Sequence, residues 1–376
     1  MLCPDSFKGS LDAAGVAEAM ARGVRVASPS TRIQALPMAD GGEGTAELVS
    51  HTLGWTWHLS DVRDPCGRYV SAGWGYDEVS RRAVIDVASA CGLDLVPEAE
   101  RDPWKLDTRG VGDLILAVLD AGGRHVLIGL GGSGTVDGGA GMLHSLGVRF
   151  RDREGRELEP VPERLEHLAS ADFSGLEPRL EELRITVLND VDNPLTGARG
   201  AAAVFGPQKG LAASEIPRMD ACMERLARAV DAAGELRCPG SMPGAGAAGG
   251  LGFALACVLR GQSRMGAGYL ADLIELEAAI AGSDLVVTGE GQLDGQTAHG
   301  KVVAEVIRRA RRCSVPVAVV AGSIDATAED LDAMGLADAR ALCDGTITLE
   351  QAMEAPGHWI MERTRAIVAA RVTRPD

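Results

Sequence analysis

The chain has 376 residues, 46% of them apolar, and a formal net charge of −16. This length suits two domains of ordinary size, and the strong negative charge argues against nucleic acid or an anionic membrane surface as a partner. The N-terminus lacks a basic segment followed by an apolar stretch, and no apolar run is long enough to span a bilayer. We therefore expect a cytoplasmic protein.

Short β-type runs alternate with longer amphipathic segments, which predicts an α/β fold. The predicted helices cover 11–26, 107–121, 215–233, 270–281, 299–312 and 358–371. The predicted strands cover 32–36, 69–76, 82–87, 125–130, 184–190, 284–288 and 317–321. The first helix has Ser10 as its expected N-cap. Segments 56–63 and 69–87 are expected to pair antiparallel, whereas the order strand–loop–helix–strand over 284–344 suits a parallel sheet.

These elements indicate two α/β domains. We assign residues 1–60 and 265–376 to one discontinuous domain, and residues 61–264 to the other. The chain begins Met-Leu-Cys-Pro-Asp, so we expect either that a strand at the start is short or that the real start lies upstream of this Met.

The eight cysteines show neither a C-x-x-C pair nor a histidine at a metal-ligand spacing. Chains with this pattern in a reducing compartment carry buried thiols. We expect all eight to be reduced.

Lysine and asparagine are rare, and their positions are informative. Only four of the 37 Lys and Arg residues are Lys. Three of these, Lys8, Lys209 and Lys301, lie in Gly- or turn-rich segments, where a compact ammonium suits a phosphate or carboxylate. Both asparagines, Asn189 and Asn193, lie in one segment. Turn formation explains any one such cluster, but their combination with glycines and carboxylates favours function.

A glycine-rich loop, 129–141, follows the predicted strand 125–130. Glycine allows backbone N–H groups to approach a phosphate closely. Gly129, Gly131 and Gly134 also fit the dinucleotide pattern G-x-G-x-x-G, and Asp152 lies roughly where a ribose-binding acid should be. The loop has no Walker P-loop pattern. Anion binding and dinucleotide binding are both open at this point.

Carboxylates lie at or after the ends of three further predicted strands. Asp40 and Glu43 follow 32–36, Asp190 ends 184–190, and Glu290 and Asp294 follow 284–288. Ligands and Mg²⁺ bind at the carboxyl ends of strands in α/β folds. Helix capping is the alternative interpretation. A glycine-rich segment, 243–252, is either a linker or a tight turn near a ligand.

Seven segments, in order along almost the whole chain, resemble the glycerate kinase family of the two-domain bacterial type (glycerate 2-kinase). They are PDSFKGSL (4–11), PMADGGEGT (37–45), GLGGSGTVDGGAGML (129–143), DVDNPLTG (190–197), FGPQKG (205–210), PGAGAAGGLG (243–252) and TGEGQLDGQT with GK (288–301). The resemblance implies a Rossmann/flavodoxin-like parallel-sheet domain beside a second mixed α/β domain. It also implies ATP and Mg²⁺ as cofactors, D-glycerate as the small-molecule substrate, and 2-phosphoglycerate as the product, with 3-phosphoglycerate as the alternative.

The resemblance and the motifs together give a set of candidate site residues whose roles are interchangeable at this point. We expect Asp190, Lys8 and Asp294 to be catalytic, with Asp190 and Asp294 also as Mg²⁺ ligands. The expected substrate-binding residues are Ser6, Asp40, Glu43, Asn189 and Lys209. The expected ATP-binding residues are Gly131, Gly132, Ser133, Thr135, Asp137, Gly289, Glu290, Thr297 and Lys301.

Two other classes of protein remain open. One is an NAD-dependent Rossmann dehydrogenase of a small hydroxy acid, and the other is a non-catalytic sensor of organic acids. Both explain the glycines, but neither explains the clustered lysines and carboxylates.

Overall fold

The computed structural model describes residues 1–294 and 302–372. The chain folds into two compact units: unit 1 consists of Met1–Asp40 and Met265–Asp376, and unit 2 of Gly41–Arg264. Our sequence-based division placed residues 41–60 with the termini, whereas here they belong to unit 2. The reason is that the strand within this stretch pairs along its whole length with the next strand, from Thr56 opposite Tyr76 to Arg63 opposite Tyr69.

The strands are β1 (Thr56–Arg63), β2 (Tyr69–Asp77), β3 (Arg82–Asp86), β4 (His125–Gly129), β5 (Arg149–Arg151), β6 (Glu157–Leu158), β7 (Ser170–Asp172), β8 (Arg184–Leu188), β9 (Gln262–Arg264), β10 (Val286–Leu293), β11 (Val317–Ile324) and β12 (Asp338–Ala341). The helices are α1 (Ala13–Ala27), α2 (Thr45–Leu53), α3 (Val87–Cys91), α4 (Arg109–Asp120), α5 (Ala140–Ser145), α6 (Pro162–Leu165), α7 (Ala201–Phe205), α8 (Ile216–Ala232), α9 (Ala247–Phe253), α10 (Gly266–Leu273), α11 (Leu276–Ile280), α12 (Val302–Arg312), α13 (Ala328–Met334), α14 (Leu349–Glu354) and α15 (Pro356–Val372).

Unit 2 is built on a mixed six-stranded sheet with the order β1-β2-β3-β4-β8-β9. The first three strands pair antiparallel, as the sequence predicted. Strands β3, β4, β8 and β9 pair in parallel. Every residue of β4 is buried, as expected for a central parallel strand covered on both faces. The predicted α/β class with a mixed second domain is confirmed.

Unit 1 contains a parallel sheet with the order β10-β11-β12. The first five residues extend this sheet, because the backbone N–H of Cys3 donates to the carbonyl oxygen of Val287 at 2.9 Å, and that of Leu2 donates to Gln34 at 2.8 Å. Residues 1–5 therefore lie between 34–38 and β10, as a short parallel segment. The helices α1 and α15 pack against each other.

Two details of the predicted helices were wrong. The N-cap of α1 is Asp12 rather than Ser10, because its carboxylate Oδ1 accepts a hydrogen bond from the N–H of Gly15 at 2.7 Å. The predicted helix 270–281 is interrupted, since Glu275 adopts a left-handed conformation with φ of 53° between α10 and α11.

The cysteines also differ from expectation. Cys238 and Cys257 form a disulfide, while the other six are free thiols. In 1–294 and 302–372, no helix combines the length and the apolar character needed to cross a lipid bilayer.

Candidate active site

Three parallel strands of unit 2 end side by side. Asp86, Gly129 and Leu188, the last residues of β3, β4 and β8, are register partners across the sheet. The carboxyl ends of parallel strands are where α/β folds bind ligands. The loops that follow or cover these ends form the candidate site of unit 2.

The glycine loop, residues 130–139, connects β4 to α5. Gly132, Gly138 and Gly139 have φ values of 76°, 68° and 79°, which side chains rarely adopt. A Cβ atom on Gly131 would lie 2.5 Å from the Cα of Gly42. The loop therefore needs glycine both for its backbone conformation and for its close packing on the 41–44 segment.

The buried carboxylate of Asp137 holds the conformation of this loop through hydrogen bonds. It accepts hydrogen bonds from the N–H and the hydroxyl of Thr108, at 2.9 and 2.7 Å, and from the N–H groups of Gly139 and Gly141, at 3.0 and 2.9 Å. Asp137 is 2% exposed, and burial raises its pKa to about 6. Its oxygens are thus directed into the loop and the N-terminus of α4.

Lys209 supports the same loop from inside unit 2. Its ammonium donates to the hydroxyl of Ser133 at 2.7 Å and to the carbonyl oxygen of Thr135 at 2.8 Å. The residue is 2% exposed, and burial lowers its pKa to about 8. The sequence predicted a substrate contact for Lys209, whereas the structure shows the ammonium bound to the loop.

The predicted ATP-binding residues of the loop divide into two groups. Gly131 and Gly132 reach the surface. Ser133, Thr135 and Asp137 are buried, at 8%, 0% and 2% exposure. Only the two glycines are placed to meet a ligand directly, because the three polar side chains face the interior.

A pocket of about 310 Å³ adjoins the loop at Gly132 and extends to the N-terminus of α2. Its charged lining residues are all acidic, namely Glu43, Glu47, Asp86 and Asp94. Such a lining repels phosphate and carboxylate groups and favours uncharged groups rich in hydroxyls or amines.

Asp86 is a residue that the sequence analysis missed. Its carboxylate accepts from the N–H of Ala46, with both oxygens at 3.0–3.1 Å. Burial raises its pKa to about 7. Asp86 thereby fixes the start of α2, and with it the segment that carries Glu43. The feature of the sequence that could have identified Asp86 was its position at the end of the predicted strand 82–87.

The segment after β8 carries Asn189 and Asp190. The Asn189 side chain closes its own turn, donating to the carbonyl oxygen of Val191 and accepting from the N–H of Val191, both at 3.1 Å. Asp190 is partly buried, two residues beyond the end of β8. It therefore lies at the same edge of the sheet as the start of the glycine loop.

The glycine-rich segment 243–252 forms a turn that backs the loop. Ala248, Gly249 and Gly250 adopt three consecutive left-handed conformations. A Cβ atom on Gly249 would lie 1.9 Å from the carbonyl oxygen of Thr135, and the N–H of Gly138 donates to the Gly249 carbonyl oxygen at 3.0 Å. The interpretation as a tight turn fits the structure, and a flexible linker does not.

Unit 1 has its own group of predicted residues at the carboxyl ends of its parallel segments. Asp5, Asp40 and Glu290 interact there: burial, followed by the charges of Asp40 and Glu290, raises the pKa of Asp5 to about 7. Ser6 donates its N–H to the Asp5 carboxylate at 2.6 Å, and Lys8 is exposed. Four of these five residues were predicted from the sequence. Asp5 was not, although its position in the PDSFKGSL segment was a signal.

Glu290 and Gly289 lie within β10, and Asp294 follows its last residue. Both Gly289 and Glu290 are buried, and Gly289 accommodates the close approach of Val320, whose carbonyl oxygen would lie 2.3 Å from an added Cβ. Thr297 and Lys301, predicted to bind ATP, lie outside the described residues.

Within 1–294 and 302–372, no three His, Cys, Asp or Glu side chains converge as a ready-made metal site. Magnesium, however, is usually held by one or two protein carboxylates together with phosphate oxygens and water. The carboxylates of Asp40, Glu290 and Asp294 in unit 1 and, separately, that of Asp190 in unit 2 are oxygen donors of the type that this ion prefers.

Comparison with known proteins gives a consistent result. The sequence model of the Glycerate kinase family matches residues 1–372. A glycerate kinase of Bacillus subtilis (strain 168) is 42% identical, covering 99% of this chain and 97% of that protein. A glycerate 2-kinase of Escherichia coli (strain K12) is 41% identical, covering 86% of this chain and 85% of that protein.

A solved structure from Salmonella typhimurium LT2, described as a glycerate kinase 2, has a similar fold. Its TM-score against this chain is 0.84 at 42% sequence identity, with 99% of this chain and 97% of that chain covered.

Proposed function

The chain belongs to the glycerate kinase family, and from that premise we propose that it transfers the γ-phosphate of ATP to the 2-hydroxyl of D-glycerate. The products are ADP and 2-phosphoglycerate. The observation that carries this proposal is the family match over residues 1–372, together with the likeness to a glycerate 2-kinase. That second likeness favours the 2-hydroxyl over the 3-hydroxyl.

The glycine loop suits the phosphates of ATP. Phosphoryl transfer depends on positioning and charge neutralisation more than on covalent chemistry. The surface residues Gly131 and Gly132 present backbone without side chains, which lets an anion approach closely. We assign Ser133, Thr135 and Asp137 the supporting role of holding the loop in shape. The acidic pocket beside Gly132 suits the uncharged nucleoside of ATP.

Acidic residues of both units supply candidates for the metal and for the proton. We propose Asp190 of unit 2 and Asp294 of unit 1 as two separate candidates for a ligand of Mg²⁺, an ion that would neutralise charge on the phosphates. Asp190 is also our candidate for accepting the proton of the glycerate hydroxyl. Asp5, whose pKa of about 7 lets it exchange a proton near neutrality, is the alternative acceptor.

Lys8 and Ser6 are proposed to bind the glycerate carboxylate. Lys8 is exposed, and a lysine binds an anion as a compact point charge. Ser6 follows Asp5 directly and has its N–H fixed by the Asp5 carboxylate. Binding the acceptor through its carboxylate would leave its hydroxyls available for reaction.

A Rossmann dehydrogenase is not favoured. In that fold the glycine pattern opens a helix whose N-terminus binds the pyrophosphate. Here α5 begins only at Ala140, six residues after Gly134. Asp152, the expected ribose ligand, instead binds the Arg156 guanidinium at 2.8 Å within a hairpin turn.

The test is ³¹P NMR of the full-length protein with ATP, Mg²⁺ and D-glycerate. We expect a phosphomonoester signal split into a doublet by the single hydrogen at carbon 2, growing as ADP appears. A triplet would assign the product as 3-phosphoglycerate. Intact ATP with folded protein would contradict the proposed activity.

The same assay tests the role of Asp190. Asp190→Asn should lower kcat about 100-fold or more if the carboxylate accepts the proton. Asp192→Asn is the matched control, because Asp192 lies in the same segment but forms an exposed ion pair with Arg199. An Asp190→Asn variant with the kcat of the parent protein would remove Asp190 from the mechanism.

A further inference from the structure

One covalent link in unit 2 has no part in the proposed reaction. Cys238 and Cys257, 19 residues apart, form a disulfide. Cys257 is buried, whereas Cys238 is partly exposed. Arg237 immediately precedes Cys238, and its N–H donates to the carbonyl oxygen of Cys257 at 2.7 Å. Cys238 is therefore the cysteine of the pair that lies nearer to solvent.

The disulfide closes a segment that contacts two parts of the candidate site. Within 238–257, the carbonyl oxygen of Gly240 accepts from the N–H of Leu195 at 2.8 Å, and the N–H of Gly246 donates to the Asn193 carbonyl oxygen at 2.9 Å. These bonds hold the segment after β8, which contains Asp190. The turn at Ala248–Gly250 contacts the glycine loop, as described above.

Within the segment 238–257, which the disulfide closes, one residue has an unfavourable backbone conformation. Ala248 has a φ of 52° and ψ of 42°, a left-handed conformation that is unfavourable for a residue with a Cβ atom. A crosslink at the base of the segment reduces the number of conformations open to the chain when this turn is lost. Breaking the crosslink would therefore loosen the turn that supports the glycine loop.

We propose that Cys238 and Cys257 form a thiol–disulfide modification site that controls the rigidity of the 238–257 segment and, through it, the kinase. The control of catalysis rests on the proposed function. In a cytoplasmic enzyme, a disulfide is more often a reversible regulatory bond than a permanent structural one. The disulfide form holds the loop as described and is the more active form.

The chemistry is thiol–disulfide exchange with a small disulfide of the glutathione class. The Cys238 thiolate attacks one sulfur of that disulfide, forming a mixed disulfide and releasing one small thiol. The Cys257 thiolate then attacks the Cys238 sulfur and releases the second. Two protein thiols are oxidised and one small disulfide is reduced to two thiols. A dithiol reductant reverses both steps.

The experiment equilibrates the full-length protein across ratios of reduced to oxidised glutathione and measures three quantities at each ratio. Alkylation and mass spectrometry identify the linked cysteines. Hydrogen exchange reports the mobility of peptides covering 130–141 and 239–256. The kinase assay gives kcat/KM for ATP. On reduction we expect faster exchange in both peptides and a fall in kcat/KM of about fivefold or more, the lower end of typical coupling between sites.

Two variants make the result specific. Cys238→Ser, at the partly exposed position, should show no redox response and should match the reduced parent protein in exchange and rate. Cys313→Ser is the matched control, because Cys313 is a partly exposed free thiol of unit 1, and it should respond like the parent protein.

Several outcomes would overturn the proposal: Cys238 and Cys257 remaining thiols throughout, equal exchange in both redox states, equal kcat/KM in both states, or a redox response that persists in Cys238→Ser. Failure of the proposed function looks different. In that case the protein phosphorylates no glycerate in either state, while the linkage and the exchange of the two peptides still change.

Discussion

At the scale of single residues, the rarity of lysine in the sequence drew attention to Lys209 but did not predict which atoms its ammonium binds. Lys209 lies in one of the predicted motifs, yet its ammonium binds Ser133 and Thr135 inside unit 2. The same holds for Asp137, which bonds to Thr108 and to its own loop. Sequence patterns mark these residues as unusual. They do not show which way a side chain faces, because some of its partners, such as Thr108 for Asp137 and Ser133 for Lys209, are distant in the sequence.

Lys209→Met should destabilise the protein and impair the loop. The change leaves the Ser133 hydroxyl and the Thr135 carbonyl oxygen without their buried donor, which should cost about 2 kcal/mol or more in the free energy of unfolding. Urea denaturation measures this cost, and the kinase assay should show a larger KM for ATP. Lys105→Met is the control, because Lys105 is exposed and its ammonium forms a surface ion pair with Asp102. Similar effects of the two substitutions would contradict the supporting role of Lys209.

At the scale of elements, the longer strands and helices could be predicted from the sequence, whereas many short ones, such as β5–β7 and α5–α7, could not. Strands such as 125–130 and 184–190 are short apolar runs bounded by turn residues, and β4 and β8 lie there. The prediction of secondary structure was less accurate where a residue in the left-handed backbone conformation determines the local structure. Glu275 divides a predicted helix, and Ala248–Gly250 turns a glycine-rich segment into a support for the loop. Such conformations depend on tertiary contacts rather than on periodicity.

The turn in α9 predicts that two glycines of similar φ, Gly249 and Gly155, differ in the stability that is lost when each is replaced by alanine. Gly249→Ala combines a φ of 68° with a Cβ atom 1.9 Å from the Thr135 carbonyl oxygen. We expect a loss of about 3 kcal/mol or more in the free energy of unfolding, because backbone must move. Gly155→Ala has a φ of 79° but open space around the added atom, and it should cost about 1 kcal/mol. Equal losses in denaturation experiments would show that the close approach to Thr135 is not maintained.

At the scale of the whole molecule, buried carboxyls make stability depend on pH. Burial raises the pKa of Asp86 and of Asp5 to about 7, and that of Asp137 to about 6. An unfolded chain releases these protons near pH 4. Between those values the folded state holds more protons than the unfolded state. These groups therefore stabilise the fold most at low pH, and their contribution falls as pH rises through the folded pKa.

Asp86→Asn isolates one such contribution. Asparagine cannot ionise, so the variant should lose less stability than the parent protein as pH rises from about 4 to 7. Urea denaturation at several pH values across this range gives the two slopes. The difference between them is the informative quantity, since all other titrating groups are common to both proteins. Parallel pH profiles would show that Asp86 titrates alike in the folded and unfolded chains.

The support beneath the glycine loop also has a consequence for how this protein can evolve. Lys209, Ser133, Asp137 and Thr108 are all buried, and they form two hydrogen-bonded pairs, Lys209 with Ser133 and Thr108 with Asp137. A substitution at one of them is harmful unless a partner changes as well. These four positions should therefore be inherited together. Exposed neighbours such as Glu43 are free of this constraint, so changes of substrate preference should begin there.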